Sequence, residues 1–434
     1  MSKWKEVEIQ EIGEIVSGGT PSTSIDKYWL DGTIPFVTPY DLSRIKTAFI
    51  DKTARNITEE GLKSSSANLL PAGSIIISSR APIGYVAVGK KDFVTNQGCK
   101  SIKLFNDQHS LFHYYNFLFN VDRIKQLGEG TTFAEISKAY LEKIKINVHT
   151  DFEDQKKIAS ILSSVDNVIE KTQQAIAKYK CIKQGILNDL FTRGIDANGK
   201  LRPPAQDAPE LYKPSALGLI PKEWEVEIFG SKIDLVHGHQ FRNYDFTDFG
   251  IPVIKIGQIK PNELDLIDCS FIAKERLPEF PNEIIRNGDV LMALTGATLG
   301  KACLVKDLKD VVLQNYRVGR FETYDLNEIN KTFLYYSLTT PELLNQVFNK
   351  VNSGAQGNIG KGDFEKALFR KPLLQEQILI AEKLLSIDNK IYLENLYLEK
   401  QGSIKQGLMA DLLTGKKEVK LNEKMMSEKE LIAR

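Results

Sequence analysis

Two long stretches of the chain carry apolar residues at alternating steps of three and four, the spacing of a helix that packs in a coiled coil. The first stretch spans residues 154–192 and the second spans 376–414, and neither contains proline. Each predicts one helix, which at about 1.5 Å per residue would be roughly 58 Å long. The expected seam of the first helix consists of Ile158, Ile161, Val165, Val168, Ala175, Tyr179, Ile182 and Ile186, interrupted by Thr172.

The two stretches are copies of one element. Displaced by 222 residues, they align without a gap, and 16 of the 39 positions are identical. The identical positions include polar pairs such as Lys183-Gln184 and Lys405-Gln406. Two unrelated amphipathic helices would have no reason to share those residues. A seam of this length needs a partner, and we expect the two copies to pack against each other.

The segments that precede the two long helices also repeat, as shorter apolar runs typical of strands. Glu6-Val-Glu-Ile9 recurs as Glu225-Val-Glu-Ile228. The other matching strands are Ile34-Pro-Phe-Val37 with Ile251-Pro-Val-Ile254, and Gly73-Ser-Ile-Ile-Ile77 with Gly288-Asp-Val-Leu-Met292. The matching loops are 80–84 with 295–300, Asn96-Gln97 with Gln314-Asn315, and 128–132 with 353–358. The strand positions are alike and the loop residues differ, which indicates two related binding tasks with different targets.

These patterns divide the chain into six segments. Two globular domains are each followed by a long helix, a proline-rich linker joins the two halves, and a charged tail ends the chain. The predicted boundaries are 1–151 for the first domain, 152–192 for the first helix, 193–223 for the linker, 224–373 for the second domain, 374–414 for the second helix and 415–434 for the tail.

Composition narrows the class of protein only slightly. A length of 434 residues suits two or three domains, and the net charge of +1 excludes only a massively basic coat protein. No apolar run approaches 18 residues, and the residues after Met1 lack the apolar core of a signal peptide. The four cysteines have no paired spacing, which favours a reducing cytoplasm over a disulfide framework or a zinc site.

The sequence carries no recognisable catalytic constellation. The stretch from Thr295 to Lys301 resembles a phosphate-binding loop, but only three residues separate its glycines and Ala302 replaces the serine or threonine that would hold magnesium. His237 and His239 are the only close pair of histidines, and no cysteine or acidic cluster completes a metal site around them. We therefore expect no catalytic residue, no bound metal and no cofactor in this chain.

The polar residues of the loops suit the reading of DNA bases. Asparagine and glutamine amides pair with adenine, and an arginine guanidinium pairs with guanine. The alternative is that the same side chains shape the loops and cap neighbouring elements. The candidates in the first domain are Thr20, Ser22, Arg80, Asn96, Gln97, Thr131 and Thr132. The candidates in the second domain are His237, His239, Gln240, Arg242, Lys255, Gln258, Gln314, Asn315, Arg317, Gln356 and Asn358.

Several short motifs occur in a fixed order along the chain. They are Gly19-Thr-Pro-Ser22, Gly130-Thr-Thr-Phe133 with Ile136-Ser137, Gly218-Leu-Ile-Pro-Lys-Glu-Trp224, Gly354-Ala-Gln-Gly-Asn-Ile359, the openings Asp154-Gln155 and Glu376-Gln377, and the endings Gln184-Gly185 to Thr192 and Gln406-Gly407 to Thr414. Their order and duplication resemble the specificity subunit of a type I restriction–modification system, over essentially the whole chain. One departure is that Pro372 precedes the second helix, whereas Asn147-Val148 takes that place before the first.

The resemblance implies an α+β fold with two α/β target-recognition domains of mixed sheet. Two long antiparallel coiled-coil helices separate the domains, and the chain has an internal pseudo-two-fold repeat. It also implies a non-catalytic subunit that binds a bipartite, asymmetric sequence in double-stranded DNA. The helices would dock two methyltransferase (M) subunits, and restriction (R) subunits would join through them. Those partners would use S-adenosylmethionine, ATP and magnesium, and this chain would bind none of the three.

Two alternatives from other classes remain open at this point. One is a two-domain scaffold or adaptor that binds protein or carbohydrate partners. The other is a catalytic subunit whose site has no recognised motif.

Overall fold

The structure of the chain is a computed structural model that describes residues 3–80, 82–126, 135–260, 263–348 and 357–419. The chain forms two compact units. The first unit joins residues up to 174 with residues from 396 onward, and the second comprises residues 175–395. Each unit therefore contains one α/β domain and a part of both long helices.

The helices include two that are much longer than the others. In chain order they are α1 (Pro39–Arg44), α2 (Glu59–Lys63), α3 (Ser110–Phe119), α4 (Val121–Gln126), α5 (Lys138–Glu142), α6 (Phe152–Thr192), α7 (Lys331–Ser337), α8 (Pro341–Phe348), α9 (Lys361–Glu365) and α10 (Leu374–Leu412). No helix within the described residues is both long enough and apolar enough to cross a membrane.

The first α/β domain is built on a mixed five-stranded sheet. The strands of this domain are β1 (Trp4–Glu8), β2 (Gly13–Ser17), β3 (Ile34–Val37), β4 (Phe49–Ile50), β5 (Arg55–Ile57), β6 (Ile75–Ser78), β7 (Val86–Gly89), β8 (Val94–Thr95), β9 (Cys99–Leu104) and β10 (Lys145–His149). The five-stranded sheet has the order β2-β9-β6-β7-β4, with only β4 and β7 parallel. A second sheet has the order β5-β3-β8, and β1 pairs with β10.

The second domain repeats this plan. Its strands, after the linker hairpin β11 (Tyr212–Ser215) and β12 (Gly218–Pro221), are β13 (Glu225–Ile228), β14 (Ile233–His237), β15 (Phe246–Thr247), β16 (Ile251–Ile254), β17 (Ile259–Lys260), β18 (Glu263–Leu264), β19 (Ser270–Ile272), β20 (Ile284–Ile285), β21 (Val290–Ala293), β22 (Ala302–Leu304), β23 (Val312–Gln314), β24 (Val318–Thr323) and β25 (Leu368–Lys371). The order β14-β24-β21-β22 repeats β2-β9-β6-β7, and β13 pairs with β25 as β1 pairs with β10. The predicted α+β fold with mixed sheets and an internal repeat is confirmed.

The buried stripe of α6 follows the predicted seam only in part. Ile182 is 39% exposed, whereas Thr172 is buried and donates its hydroxyl to the Val168 carbonyl oxygen at 2.8 Å. The other residues that α6 buries are Gln155, Ile158, Ala159, Leu162, Ile176, Leu187, Leu190 and Phe191. The prediction differs because each end of α6 packs into the core of an α/β domain as well as against α10. Burial therefore does not follow a two-helix seam.

A buried glutamine near the start of each long helix ties that helix to its domain. The Gln155 side chain accepts a hydrogen bond from the His109 amide and donates to the His149 carbonyl, both at 2.8 Å. Gln377 accepts from the Asn330 amide at 2.9 Å and donates to a loop carbonyl in the same way. His109 and Asn330 are the N-caps of α3 and α7. In each half of the chain, this glutamine therefore joins the beginning of the long helix to the N-cap of a helix in the neighbouring α/β domain.

In the first unit, a three-residue polar cluster joins α3, α6 and α10. The Asp166 carboxylate accepts the Tyr115 hydroxyl at 2.8 Å and lies 2.6 Å from the Lys405 ammonium nitrogen. The same ammonium lies 5.6 Å from the centre of the Tyr115 ring. Burial of the phenol and its bond to Asp166 raise the pKa of Tyr115, so the tyrosine stays neutral and acts as a donor.

The second unit contains the same cluster. Asp388 accepts the Tyr336 hydroxyl at 2.7 Å and lies 2.5 Å from the Lys183 ammonium nitrogen. Lys390 lies 5.8 Å from the Tyr179 ring, so residue numbers rise along α6 as they fall along α10, and the two helices are antiparallel. In each cluster the aspartate comes from one helix copy and the lysine from the other. This exchange explains why both copies have kept both residues.

Candidate nucleic-acid interface

In the first unit, the loops that follow β2, β6 and β8 meet at one edge of the domain. The Gly19 amide donates to the Thr95 carbonyl at 2.9 Å, and the Ser79 amide donates to the Gly98 carbonyl at 2.8 Å. The Ile136 amide donates to the Ser79 carbonyl at 2.9 Å, which adds a fourth segment from further along the chain. Backbone bonds therefore gather candidate residues that lie far apart in sequence.

The second unit makes the same set of backbone bonds. The His239 amide donates to the Gln314 carbonyl at 3.2 Å, and the Leu294 amide donates to the Arg317 carbonyl at 3.0 Å. The Ile359 amide donates to the Leu294 carbonyl at 2.9 Å. The two domains thus hold an equivalent loop cluster, which we define as the segments 17–22, 79–80, 82–85, 95–98 and 135–136 in the first unit and 237–242, 294–300, 314–317 and 357–359 in the second.

Glycine is required where the first loop of each cluster passes the third. A Cβ built on Gly18 would overlap the Asn96 carbonyl oxygen, and one built on Gly238 would overlap the Gln314 carbonyl oxygen. Only a residue without a side chain allows the two backbones to approach so closely. The loop Ser17-Gly-Gly and its counterpart His237-Gly-His can therefore vary on either side of this position but not at it.

The sequence alignment of the third loop was wrong by one position. The Asn96 and Asn315 amides donate to the last residues of β3 and β16, each at 3.1 Å. Each asparagine oxygen then accepts the amide two residues further on, at 3.1 and 3.3 Å. Asn315 therefore corresponds to Asn96, and Gln314 corresponds to Thr95. Both asparagines shape the turn, which is the alternative role weighed for them from the sequence.

Two candidates of the first domain are joined across the cluster. The Thr20 hydroxyl donates to the Gln97 side-chain oxygen at 2.5 Å, and both side chains reach the surface. Ser22 is exposed and lies 2.9 Å from the Ser24 hydroxyl. Among the described residues, the side-chain amide hydrogens of Gln97 have no acceptor.

The candidates of the second domain differ in exposure. His237, His239, Gln240, Arg242, Arg317 and Asn358 are exposed, Lys255 and Gln258 are partly buried, and Gln314 and Asn315 are buried. The candidates Thr131, Thr132 and Gln356 lie outside the described residues.

Gln314 is fully buried, and its amide nitrogen donates to the Val236 carbonyl at 2.9 Å and to the Val318 carbonyl at 2.8 Å. It therefore braces the cluster from beneath and presents nothing to a ligand.

Lys255 and Gln258 form a turn at the side of the cluster. The Gln258 oxygen accepts the Lys255 amide at 3.1 Å, which caps the 3-10 helix Ile256–Gln258. The Lys255 ammonium donates to the Ser270 hydroxyl at 2.6 Å and lies over the Phe246 ring. The turn reaches the cluster through Thr298, whose hydroxyl donates to the Ile256 carbonyl at 3.1 Å.

The first cluster contains a group of charged residues with Glu135 at its centre. The Arg80 Nε lies 3.0 Å from one Glu135 oxygen, and the Lys100 ammonium lies 3.4 Å from the other. Arg80 is exposed, whereas the Lys100 side chain is only 7% exposed. Burial opposes ionisation of Glu135, but the two cations outweigh it and lower the pKa of the carboxyl group. Glu135 is therefore an anion that holds both cations.

Neutral residues occupy the three equivalent positions of the second domain. The bridge between Arg80 and Glu135 corresponds to the bridge between Thr295 and Asn358, and Gly319 takes the place of Lys100. The second cluster instead has an exposed arginine on a different loop. The Arg317 Nε donates to the Tyr316 hydroxyl at 2.7 Å, and the guanidinium carbon lies 5.3 Å from the Tyr316 ring centre.

Sequence reasoning missed Glu135, Lys100 and Tyr316. Glu135 lies within one of the recurring motifs, between Phe133 and Ile136, and this position was the only available signal for it. Lys100 and Tyr316 gave none, because their roles depend on contacts between separate loops. Among the described residues, no group of three or more histidine, cysteine, aspartate or glutamate side chains could hold a metal ion.

Residues 1–178 and 222–401 match the family model of the type I restriction modification DNA specificity domain. The chain belongs to this family. It is 27% identical to the MjaVIII specificity subunit of Methanocaldococcus jannaschii over 96% of this chain and 93% of the relative. It is 31% identical to the MjaIX specificity subunit of the same organism over 69% and 68%. Family membership does not favour the scaffold or adaptor alternative.

Solved structures share the fold at low sequence identity. The S subunit of a type I restriction–modification system from M. genitalium has a TM-score of 0.59 at 16% identity, over 94% of this chain and 96% of that chain. A chain from a structure described as the basis of complex assembly and conformational transition of the type I R-M system has a TM-score of 0.56 at 15% identity, over 94% and 97%. At these identities the likeness concerns the fold alone.

Proposed function

We propose that this chain is the DNA-binding specificity subunit of a type I restriction–modification complex and reads a bipartite, asymmetric DNA sequence. One observation carries the proposal beyond family membership. The two domains hold equivalent loop clusters on the same backbone scaffold, and the side chains at equivalent positions of the clusters differ. Arg80 and Glu135 stand in the first domain where Thr295 and Asn358 stand in the second. One scaffold with two different sets of hydrogen-bonding groups suits two different half-sites.

The chemistry of the clusters supports base reading rather than catalysis. Exposed amide and guanidinium groups match the donor and acceptor patterns of adenine and guanine in the major groove. We propose that the chain itself is not catalytic, and that the long helices dock two methyltransferase subunits. Restriction subunits would join the complex through the methyltransferases. S-adenosylmethionine, ATP and magnesium would serve those partners and would not bind this chain.

Reconstitution with a methyltransferase tests the proposal. The full-length chain would be co-expressed with the modification subunit of a type I system, purified as a complex and incubated with genomic DNA and S-adenosylmethionine. We expect methylated adenines at one bipartite sequence, and none when either component is omitted. Failure of the chain to co-purify with the modification subunit and to bind DNA in its own right would contradict the proposal.

A further inference from the structure

The two arginines of the loop clusters share a feature although they stand at non-equivalent positions. Arg80 lies on the loop after β6, and Arg317 lies on the loop between β23 and β24. In both, the Nε atom already has a partner. The Glu135 carboxylate lies 3.0 Å from the Nε of Arg80, and the Tyr316 hydroxyl accepts from the Nε of Arg317 at 2.7 Å. The terminal nitrogens of both arginines have no hydrogen bond or ion pair with a described residue, and both side chains are exposed.

A partner at Nε limits which nitrogens of a guanidinium can donate to a ligand. With Nε engaged, only the two terminal nitrogens remain, and they lie in one plane with a fixed spacing. This arrangement matches a pair of acceptors such as O6 and N7 of guanine. A phosphate also accepts two parallel donors from a guanidinium, so the fixed plane alone suits either kind of acceptor pair. The anchoring therefore favours a pair of acceptors over a single one.

The charge of the Glu135 anchor favours a base over a phosphate for Arg80. Glu135 is an anion 3.0 Å from Arg80, and it weakens the attraction of that arginine for phosphate. Tyr316 instead places a ring and a hydroxyl against Arg317, which restricts its side chain without neutralising it. Both anchors reduce the side-chain freedom that an arginine must otherwise lose on binding.

We propose that Glu135 and Tyr316 are positioning residues, which orient Arg80 and Arg317 so that each arginine reads one guanine, one in each half of the DNA target. This inference rests on the proposed function and deepens it. It assigns one G·C pair of the first half-site to Arg80 and one G·C pair of the second half-site to Arg317. The two positions are read from different loops, so they need not lie at the same place within their half-sites.

The test is selection of target sequences from a randomised duplex library by the complex of the full-length chain with its modification subunits. Glu135→Gln should relax the preference for guanine at one position of one half-site, by about tenfold, the loss expected for one well-oriented bidentate contact. Tyr316→Phe should relax one position of the other half-site. All other positions should keep their preferences, which a merely structural role of either residue would not produce.

Matched variants separate orientation from stability. Glu135→Gln leaves the buried Lys100 without its anion, so the double variant Lys100→Met with Glu135→Gln restores a neutral interior. We expect it to relax the same position. Arg80→Gln combined with Glu135→Gln should be no less specific than Arg80→Gln alone, since Glu135 acts through Arg80. Glu60→Gln, which breaks the exposed Lys27–Glu60 pair of the same domain, and Tyr324→Phe, at an exposed tyrosine of the second domain, should select the wild-type sequence.

Three outcomes would overturn the inference. A uniform change of affinity for all sequences, without a change in the preferred bases, would make Arg80 and Arg317 phosphate contacts. Unchanged selection by both variants would show that the anchors do not matter. A half-site without any G·C pair would exclude the arginine assigned to it. A wild-type complex that selects no sequence at all would instead remove the proposed function, and this inference with it.

Discussion

A single buried histidine should make the first unit sensitive to acid. His113 is fully buried, and its Nε2 lies 2.8 Å from the Gln108 side-chain oxygen. Burial, aided by the nearby His109, lowers the pKa of His113 from 6.5 to about 3. Between these two values the unfolded chain binds one proton more than the folded chain does. The free energy of unfolding should therefore fall as pH decreases from 6.5, by about 1.4 kcal/mol per pH unit for one proton.

The variant His113→Gln should flatten this dependence. Melting temperatures of the wild type and the variant would be measured from pH 8 to pH 4. At pH 8 both side chains are neutral, so the difference there reports packing alone and serves as the control. We expect the difference to shrink or change sign as pH falls below 6.5. Parallel profiles for the two proteins would show that His113 does not titrate on unfolding.

At the scale of residues, sequence reasoning identified exposed candidates better than partners. Arg80, Arg317, His239 and Asn358 lie in the loop clusters, and Gln314 does not reach the surface. The sequence around Gln314 does not indicate that its side-chain amide donates to two backbone carbonyls in the interior. Whether any candidate contacts a base remains a prediction, and the base-selection experiment above addresses two of them.

At the scale of elements, the polar clusters between the helices should contribute measurably to stability. Lys183→Met would leave the Asp388 carboxylate, which is 7% exposed, with the Tyr336 hydroxyl as its one hydrogen-bond partner among the described residues. We expect a loss of about 2 kcal/mol in the second unit, less than for a fully buried pair because Lys183 retains some contact with water. Chemical denaturation of the variant would measure it.

A double-mutant cycle provides the control for that measurement. Adding Asp388→Asn to Lys183→Met removes the unpaired charge and should recover much of the stability. Lys156→Met, which breaks an exposed ion pair with Glu153 on the same helix, should have no measurable effect. Equal losses from Lys183→Met and Lys156→Met would mean that burial of Asp388 does not matter.

The existence of the long helices could be predicted, but their buried faces could not. Periodicity and the absence of proline are properties of the segment itself, and they predicted helices close to Phe152–Thr192 and Leu374–Leu412. Which side is buried depends on the neighbours. Leu187 and Leu190 are buried against the second domain, although they were not assigned to the seam. The heptad pattern describes only the contact between the two helices and does not reveal that the α/β domain also packs against α6.

At the scale of the whole molecule, the repeat predicts that the two half-sites are recognised independently. Residues 1–151 would be replaced by the corresponding domain of a relative such as the MjaVIII specificity subunit, in the full-length chain. Methylation mapping should then show one half-site changed and the other retained, since each loop cluster is built within one unit. The reciprocal replacement of residues 224–373 is the control and should change only the other half. A change in both half-sites from either replacement would show that the clusters are coupled.

The two aspartate–lysine pairs also bear on how such a chain changes over generations. Asp166 is paired with Lys405, and Asp388 is paired with Lys183, so each helix copy holds the partner that the other copy needs. A substitution in one copy therefore affects an ion pair whose other member lies more than two hundred residues away in sequence. Compensating substitutions in descendants should appear between the copies and not within one. Such cross-pairing is expected if the chain arose by duplication and fusion of an ancestral half-length chain that formed a homodimer. In that dimer, the aspartate of each subunit would have paired with the lysine of the other.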